Sequence, residues 1–302
     1  MATPMSGTPR KDLQWTPGAV GVWGKRVAAV GGTGGLGQAV ARLLAKQGAK
    51  VTVVGQTFRD QGTANIEFLK ADMGSMAEAV RVARALKEQQ PDLWLLSTGI
   101  YAGPTREETA EGLEKDMAVS FLSRLAVIEE LGSAWTSPVP AGTPRPRVFV
   151  WGFPGTGLLG AMADDLNAEK RYGSNDVHYT TVACNEALVL WAATKFPGAA
   201  FFGLNPGLIK TNIRANVLGG NASLKFKLVE SLISLFTPTP EAYAARIVPL
   251  LLSPELEKNS GAFFNQKAIP ILPSVGMKEA HVDKLISGSR ALVDRALKTA
   301  RA

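Results

Sequence analysis

The stretch GGTGGLG, Gly31 to Gly37, stands between a strand pattern and a helix pattern, and that placement limits the fold more than any other feature of the chain. Upstream, KRVAAVG from Lys25 is a short apolar run of the kind buried on both faces of a parallel sheet. Downstream, GQAVARLLAKQGA has apolar residues at helical spacing, and KVTVVG is a second buried strand. Two such strands with a helix between them make a βαβ unit with a right-handed crossover. Glycines at the turn let a pyrophosphate approach the backbone, and the free N–H groups and dipole of the helix start favour its charge. A glycine-rich turn that binds nothing is the lesser alternative in this setting, after a strand and before a helix.

The alternation continues along the chain. ANIEFLKAD reads as a third strand, SMAEAVRVARALKEQ as a helix, DLWLLST as a fourth strand running to Gly99, and EGLEKDMAVSFLSRLAVIEELGSAW as one long helix. TSPVPAGTPRPR is a surface loop, since so many prolines suit neither a helix interior nor a central strand. RVFVWG is a fifth strand, Tyr179 to Lys195 a helix, and AAFFGLNPG a sixth strand ending on a proline-glycine turn. Leu224, Leu228, Leu232 and Leu235 form the stripe of an amphipathic helix, PEAYAARIVPLLLSPEL is a helix interrupted near Pro249, and GAFFNQKAIPIL is a final short strand. The expected fold class is α/β, a doubly wound, mostly parallel sheet of Rossmann type in a single domain, with ligands at the carboxyl ends of the strands. Residues 1–24 are a polar N-terminal extension, and residues 25–302 form the domain, with a lid segment at about 212–240 and a C-terminal helix.

Composition mainly excludes. A net charge of +7, from 33 basic and 26 acidic residues, attracts an anionic cofactor, but no block of five or six like charges marks a nucleic-acid or membrane surface. The single cysteine, Cys184, rules out an internal disulfide and a multi-cysteine metal site, so no metal is expected and a reducing, cytoplasmic location is. Cys184 itself reads as core filler. The start has no signal-like apolar stretch, and no run approaches the roughly 18 apolar residues of a membrane helix. A serine-hydrolase elbow, a paired-histidine zinc helix, a P-loop and internal repeats are all missing from the sequence.

The glycine loop fits two spacings. Gly32, Gly34 and Gly37 satisfy GxGxxG, whereas Gly31, Gly35 and Gly37 satisfy GxxxGxG, which resembles the short-chain dehydrogenase/reductase family. Three further places carry the resemblance: Asp72 in LKADM is similar to the family's aspartate beneath the adenine, Gly99 in LLSTGI to the end of its Asn-Asn-Ala-Gly turn, and NPGLIKT to its PGxxxT turn. The likeness runs from about Lys25 to about Leu272. It implies a nicotinamide-dependent oxidoreductase whose cofactor lies on Gly31, Thr33, Gly34, Gly35, Leu36, Gly37, Asp72 and Gly99, with Pro206, Gly207 and Thr211 beside the nicotinamide and pyrophosphate. A carboxylate at the tip of the second strand would hold the ribose of NAD. Here that tip is Gly55, followed by Gln56, Thr57 and Arg59, whose donors suit the 2′-phosphate of NADP. NADP is therefore expected over NAD, with Asp60 the residue that would reverse the preference by turning in.

The family's catalytic set of Ser, Tyr, Lys and Asn is largely missing. A proton must reach oxygen as hydride reaches a carbonyl carbon, and a tyrosine with a pKa of about 10 needs a nearby ammonium, one helical turn away, to serve near neutrality. Tyr179 matches the tyrosine by position, but four residues beyond it stands Ala183, and none of the four tyrosines has a lysine at that spacing. Trp151 and Gly152 occupy the place of the serine, and Ser120 that of the asparagine. Tyr179 is the one catalytic candidate left, beside the reading that it only packs a helix start. Asp164, Asp165, Arg124 and Lys210 are conceivable substitute donors, each otherwise a surface charge.

Three uses of such a site remain open. The first is hydride transfer to an acceptor that needs little acid help, such as an imine or iminium, an activated alkene or another bulky hydrophobic substrate. The second is an inactive NADP(H)-dependent sensor or scaffold, and the third a cyclase or isomerase that uses the pocket as a mould. WGFPGTGLLGAM lends an apolar wall, with Trp151 and Phe153 as the expected substrate contacts. Because the helix from Tyr179 is apolar nearly all round, and because such proteins pair through this helix, a homodimer or homotetramer is expected, with a small-molecule substrate as the only other partner.

Overall fold

The computed structural model describes residues 6–17, 21–140, 142–207 and 238–300. Strand β1 (Arg26–Val30), helix α1 (Gly35–Lys46) and strand β2 (Lys50–Gly55) form the first βαβ unit, followed by β3 (Ile66–Lys70), α2 (Met76–Lys87) and β4 (Leu93–Leu96). Next come α3 (Lys115–Met117), α4 (Ser123–Gly132), β5 (Arg147–Trp151), α5 (Ser174–Lys195) and β6 (Ala200–Leu204). Past the lid segment follow α6 (Pro240–Leu251), β7 (Ala262–Phe264), β8 (Pro270–Ile271) and α7 (Glu279–Thr299). The eight strands lie in the order β3-β2-β1-β4-β5-β6-β7-β8, parallel except for β8. This is the doubly wound sheet anticipated from the alternation.

The sheet is covered on both faces, which is why its central strands are unbroken apolar runs. One face carries α1 and α6 over Val51, Val53, Phe149 and Phe202; the other carries α2, α4, α5 and α7 over Val54, Leu96, Val150 and Phe201. The N-terminal stretch is tied to the far edge: Leu272 N–H donates to the Thr8 carbonyl, and Arg10 N–H to the Pro270 carbonyl, 2.8 Å each. Among the described residues, no helix is long and apolar enough to cross a membrane.

Four elements depart from expectation. The long helix after Gly99 starts at Lys115, because Glu108 and Glu114 pair in a small bridge, and it passes through a π-helical turn at Ala118–Leu122 before α4. Helix α5 begins at Ser174, five residues before Tyr179. The terminal strand is a hairpin, β7 and β8, folded at Asn265, whose N–H donates to the Ile269 carbonyl. Pro249 lies inside α6, close enough to its end to be accommodated. The lid segment at about 212–240 lies almost wholly outside the described residues, as do Lys210 and Thr211.

Residues 180–189 of α5 are buried without exception, and α7 packs along this helix. Arg290 and Glu129 join α7 to α4 by an ion pair of 2.5 Å. Most of the apolar girth of α5, the ground for expecting a subunit interface, is covered within one chain, with Leu190, Trp191 and Ala193 partly exposed.

Candidate active site

The glycine turn shows which spacing the backbone needs. Gly31 and Gly35 adopt positive φ, +88° and +54°. A Cβ on Gly31 would lie 2.5 Å from the Thr98 nitrogen, and one on Gly37 only 2.3 Å from Ser97 Oγ and 2.6 Å from the Gly31 carbonyl. Gly34 is extended, and a Cβ there would meet only the Arg59 guanidinium, at 3.4 Å. A Cβ on Gly32 would likewise crowd Ala29 at 2.8 Å, so Gly31, Gly32, Gly35 and Gly37 are each held to glycine by space or by φ, and Gly34 is the member of the turn that is not. Helix α1 starts beside them with no side-chain cap and no acidic residue in its first turn, leaving its N–H groups to an anion.

From this turn a cleft of about 1280 Å³ crosses the carboxyl ends of the strands. Gly31, Thr33, Gly34, Gly35, Leu36 and Gly37 line its floor; Gln56, Thr57, Arg59 and Asp72 line one end; Gly99, Trp151, Phe153 and Pro206 line the middle and far wall. Gly207 lies next to that lining with φ +66°, its N–H donating to Asn205 Oδ1 at 2.9 Å. The loop after β2 is pinned by Phe58, which stacks on Phe68 of β3 with ring centroids 4.9 Å apart. Arg59 Nη1 donates to the Thr33 carbonyl at 2.6 Å, so its guanidinium lies over the glycine turn. Asp60 is buried and turned to α1, accepting from Gln38 Nε2 at 2.9 Å and from Arg42 Nε at 2.5 Å. A side chain at Gly55 would strike Thr33 Oγ1 at 2.3 Å, so the strand tip has no place for a carboxylate. Thr98 borders the cleft, and its Oγ1 is buried without a hydrogen-bond partner.

The other half of the cleft is framed by α5. His178, Thr181, Val182 and Asn185, spaced three or four apart, share the face that lines it. Tyr179 is on a different face: it is 43% exposed and outside the lining, beside Tyr101. Ala183 is fully buried in the core, its Cβ 3.5 Å from where a Cβ on Gly160 would lie. Tyr179 sits in the second turn of α5, and with Ala183 packed into the core the helix turns His178 rather than Tyr179 inward.

His178 Nδ1 lies 2.9 Å from Asp116 Oδ2, and the imidazole stacks on the Tyr101 ring with centroids 4.0 Å apart. Asp116 is fully buried; its Oδ1 accepts from Ser120 Oγ at 2.5 Å, and Ser120 Oγ accepts from Ile100 N–H at 3.0 Å. Ser120 lies within the π-turn and Asp116 just ahead of it, a distortion common at working sites. Beneath them, Arg124 is buried at the strand ends, donating to the carbonyls of Thr98 and Trp151 and to Asn185 Oδ1 at 2.8 Å. Burial pulls its guanidinium down to about 9, against the opposing effect of Asp116, so it stays charged near neutrality. The loop that carries Phe153 is fixed by Glu186 of α5, which accepts from Gly155 N–H at 3.0 Å and Ser274 Oγ at 2.8 Å.

A family model described as short chain dehydrogenase matches residues 25–137. An uncharacterised oxidoreductase of Saccharomyces cerevisiae, YKL107W, is 44% identical over 276 residues, 90% of this chain and 89% of that protein. The chain belongs to the short-chain dehydrogenase family. Solved structures agree on the fold: an uncharacterised Mycobacterium paratuberculosis protein (TM-score 0.63, 19% identity, 95% of this chain and 98% of that one) and a short chain dehydrogenase from Shigella flexneri in complex with NADP (TM-score 0.57, 13% identity, 82% and 99%).

For a short-chain dehydrogenase, this cleft is well furnished at the dinucleotide end and unusual at the other. The described residues expected to hold the dinucleotide lie along or next to one cleft, and the sequence reading overlooked His178, Asp116 and Asn185 at its other half. Of the substitute donors among the described residues, Asp164 pairs with Lys284 at 2.7 Å and Asp165 caps the turn at Glu169 to Arg171, neither in the cleft, whereas Arg124 lines it. The signal that was available is the run of polar residues His178, Thr181 and Asn185 on one stripe of an otherwise apolar helix.

Proposed function

We propose that the chain is an NADP(H)-dependent reductase that transfers hydride to a polarised double bond of a bulky, apolar small molecule. The observation that carries the coenzyme preference is the division of labour after β2. Asp60 is committed to Arg42 and Gln38, while Arg59, Gln56 and Thr57 face the cleft, offering donors to a 2′-phosphate and no carboxylate to repel it. A fold neighbour holding NADP supports the same choice.

The residues present fit the dinucleotide. The turn at Gly31–Gly37 and the open start of α1 bind the pyrophosphate, Arg59 forks onto the 2′-phosphate, and Asp72 and Pro206 bracket the two ends. When bound, the nicotinamide supplies the hydride. Trp151 and Phe153 wall the reaction space with apolar surface, which excludes water and selects for a hydrophobic acceptor. With no lysine beside Tyr179, the acceptors favoured are imines or iminiums, activated alkenes and other bulky hydrophobic substrates. The test is NADPH consumption at the nicotinamide absorbance band with 2-methyl-1-pyrroline, cyclohexenone and 4-nitrobenzaldehyde. Turnover with at least one, faster with NADPH than with NADH, is expected. Tight NADPH binding with no consumption would favour the sensor reading instead.

A further inference from the structure

The proton donor of this family is out of place, and the structure offers another. Resting on the reductase reading above, we propose that His178 is the catalytic acid of a carbonyl reduction, with Asp116 and Ser120 as its positioning residues.

Three observations converge on the imidazole. Asp116, fully buried, takes Nδ1 at 2.9 Å and is itself held by Ser120 Oγ at 2.5 Å. A carboxylate on Nδ1 fixes the ring and the tautomer, so that Nε2 is the nitrogen left for a substrate. The Tyr101 ring against one face blocks rotation, and Tyr101 is anchored through its hydroxyl to Asn175 Oδ1 at 2.5 Å. Finally, His178 lines the same cleft as the glycine turn, on the α5 stripe that continues through Thr181 and Val182 to Asn185 at the strand ends. Among the described residues, the other candidates are poorly placed or poor donors near neutrality: Tyr179 lies outside the cleft lining. Burial beside Tyr179 and Asp116 pushes the Tyr101 hydroxyl up to about 12, and Arg124 is spent on two carbonyls and Asn185.

The step balances without another reactant. The imidazolium Nε2 proton moves to the substrate oxygen as that oxygen takes the carbonyl π pair and the carbonyl carbon accepts the hydride, giving the alcohol. The neutral imidazole then recovers a proton from water. An imidazole needs no ammonium to work near neutral pH, which accounts for Ala183 where the family has lysine. The titratable and charged groups around the ring are Asp116 beneath it, Tyr101 against its face, and Tyr179 beside it on α5. Arg124, Glu114 and Tyr172 interact with Asp116 in turn.

The experiment compares the wild type with His178→Gln, Asp116→Asn and Tyr179→Phe, using NADPH with 4-nitrobenzaldehyde and with 2-methyl-1-pyrrolinium. The iminium carbon already carries positive charge, so hydride addition to it needs no acid. His178→Gln is expected to lose about 10²–10⁴-fold in kcat/KM on the aldehyde. It should keep iminium reduction within about threefold, which a merely structural defect would not allow. Asp116→Asn should fall on the aldehyde as well, and Tyr179→Phe should stay within about threefold on both. Aldehyde reduction that survives in His178→Gln, or a wild type that binds NADPH and reduces the iminium but no aldehyde, would overturn the proposal. A wild type that binds no nicotinamide coenzyme would overturn the reductase reading beneath it, and the proposal with it. A second readout needs no coenzyme. The chain has two histidines, and His281 Nε2 contacts the Leu159 carbonyl at 2.7 Å. Long-range proton–nitrogen spectra of the neutral rings should show His178 protonated on Nδ1 and His281 on Nε2. An Nε2–H tautomer at His178 would contradict the Asp116 contact.

Discussion

Gly31 and Gly34 are the same residue type three positions apart, and only one of them is required by the backbone. At Gly31 a side chain meets both a positive φ and the Thr98 backbone, whereas at Gly34 it meets the movable end of Arg59. Gly31→Ala should therefore lower stability by about 2 kcal/mol or more in urea unfolding, while Gly34→Ala stays within about 0.5 kcal/mol. The sequence favoured one register of these glycines only through the likeness of Asp72, Gly99 and the Pro206 turn, because which carbonyls and nitrogens approach each glycine leaves no mark in the sequence. Single residues also set an alkaline limit. Burial, the largest cause in each case, pushes the hydroxyls of Tyr101 and Tyr172 up to about 12 from an ordinary value near 10. Raised acids of this kind stabilise the fold fully below the unfolded value, and that contribution is lost as pH rises from 10 through 12. Thermal melts across that window should show a falling Tm.

At the scale of elements, the register of α5 decides which side chains can do chemistry. Sequence alone fixed the helix but began it at Tyr179, where an aromatic opens an apolar run; the structure begins it at Ser174, after Gly173. That difference does not rotate the helix by itself, but the packing of Ala183 into the core does settle which stripe is left for the cleft. An apolar helix buried on every side carries no amphipathic moment from which to read a facing, so the inward stripe was legible only in its polar exceptions. The consequence is testable by restoring the missing motif. Ala183→Lys would bury an ammonium at a site with no room and no partner, and should cost about 3 kcal/mol or more by urea unfolding rather than raise activity. Val182→Lys, on the stripe facing the cleft, should be tolerated better.

Across the whole molecule, the alternation of strands and helices and the doubly wound, mostly parallel sheet were legible because each leaves a periodic or compositional trace. What left none was the destination of α7. Leu285, Ile286, Val293 and Ala296 are buried in the core cluster that includes α5 and α4, which covers most of the apolar surface that suggested pairing through those helices and leaves Leu190, Trp191 and Ala193 partly exposed. Light scattering of the full chain at micromolar concentration should accordingly give a monomer mass, and deletion of residues 279–302 should expose α5 and cause association. A dimer unaffected by dilution would show that another face is used. The same cleft that α5 and the strand ends enclose rests, for its function, on one coenzyme. Calorimetric titration of the wild type and Arg59→Ala with NADPH and NADH tests this most directly. The wild type should bind NADPH at least about tenfold more tightly than NADH, and Arg59→Ala should lose most of that difference, as expected for a charged contact worth about 1.4 kcal/mol or more. Equal affinity for the two coenzymes in the wild type, or no uptake of either, would contradict the account.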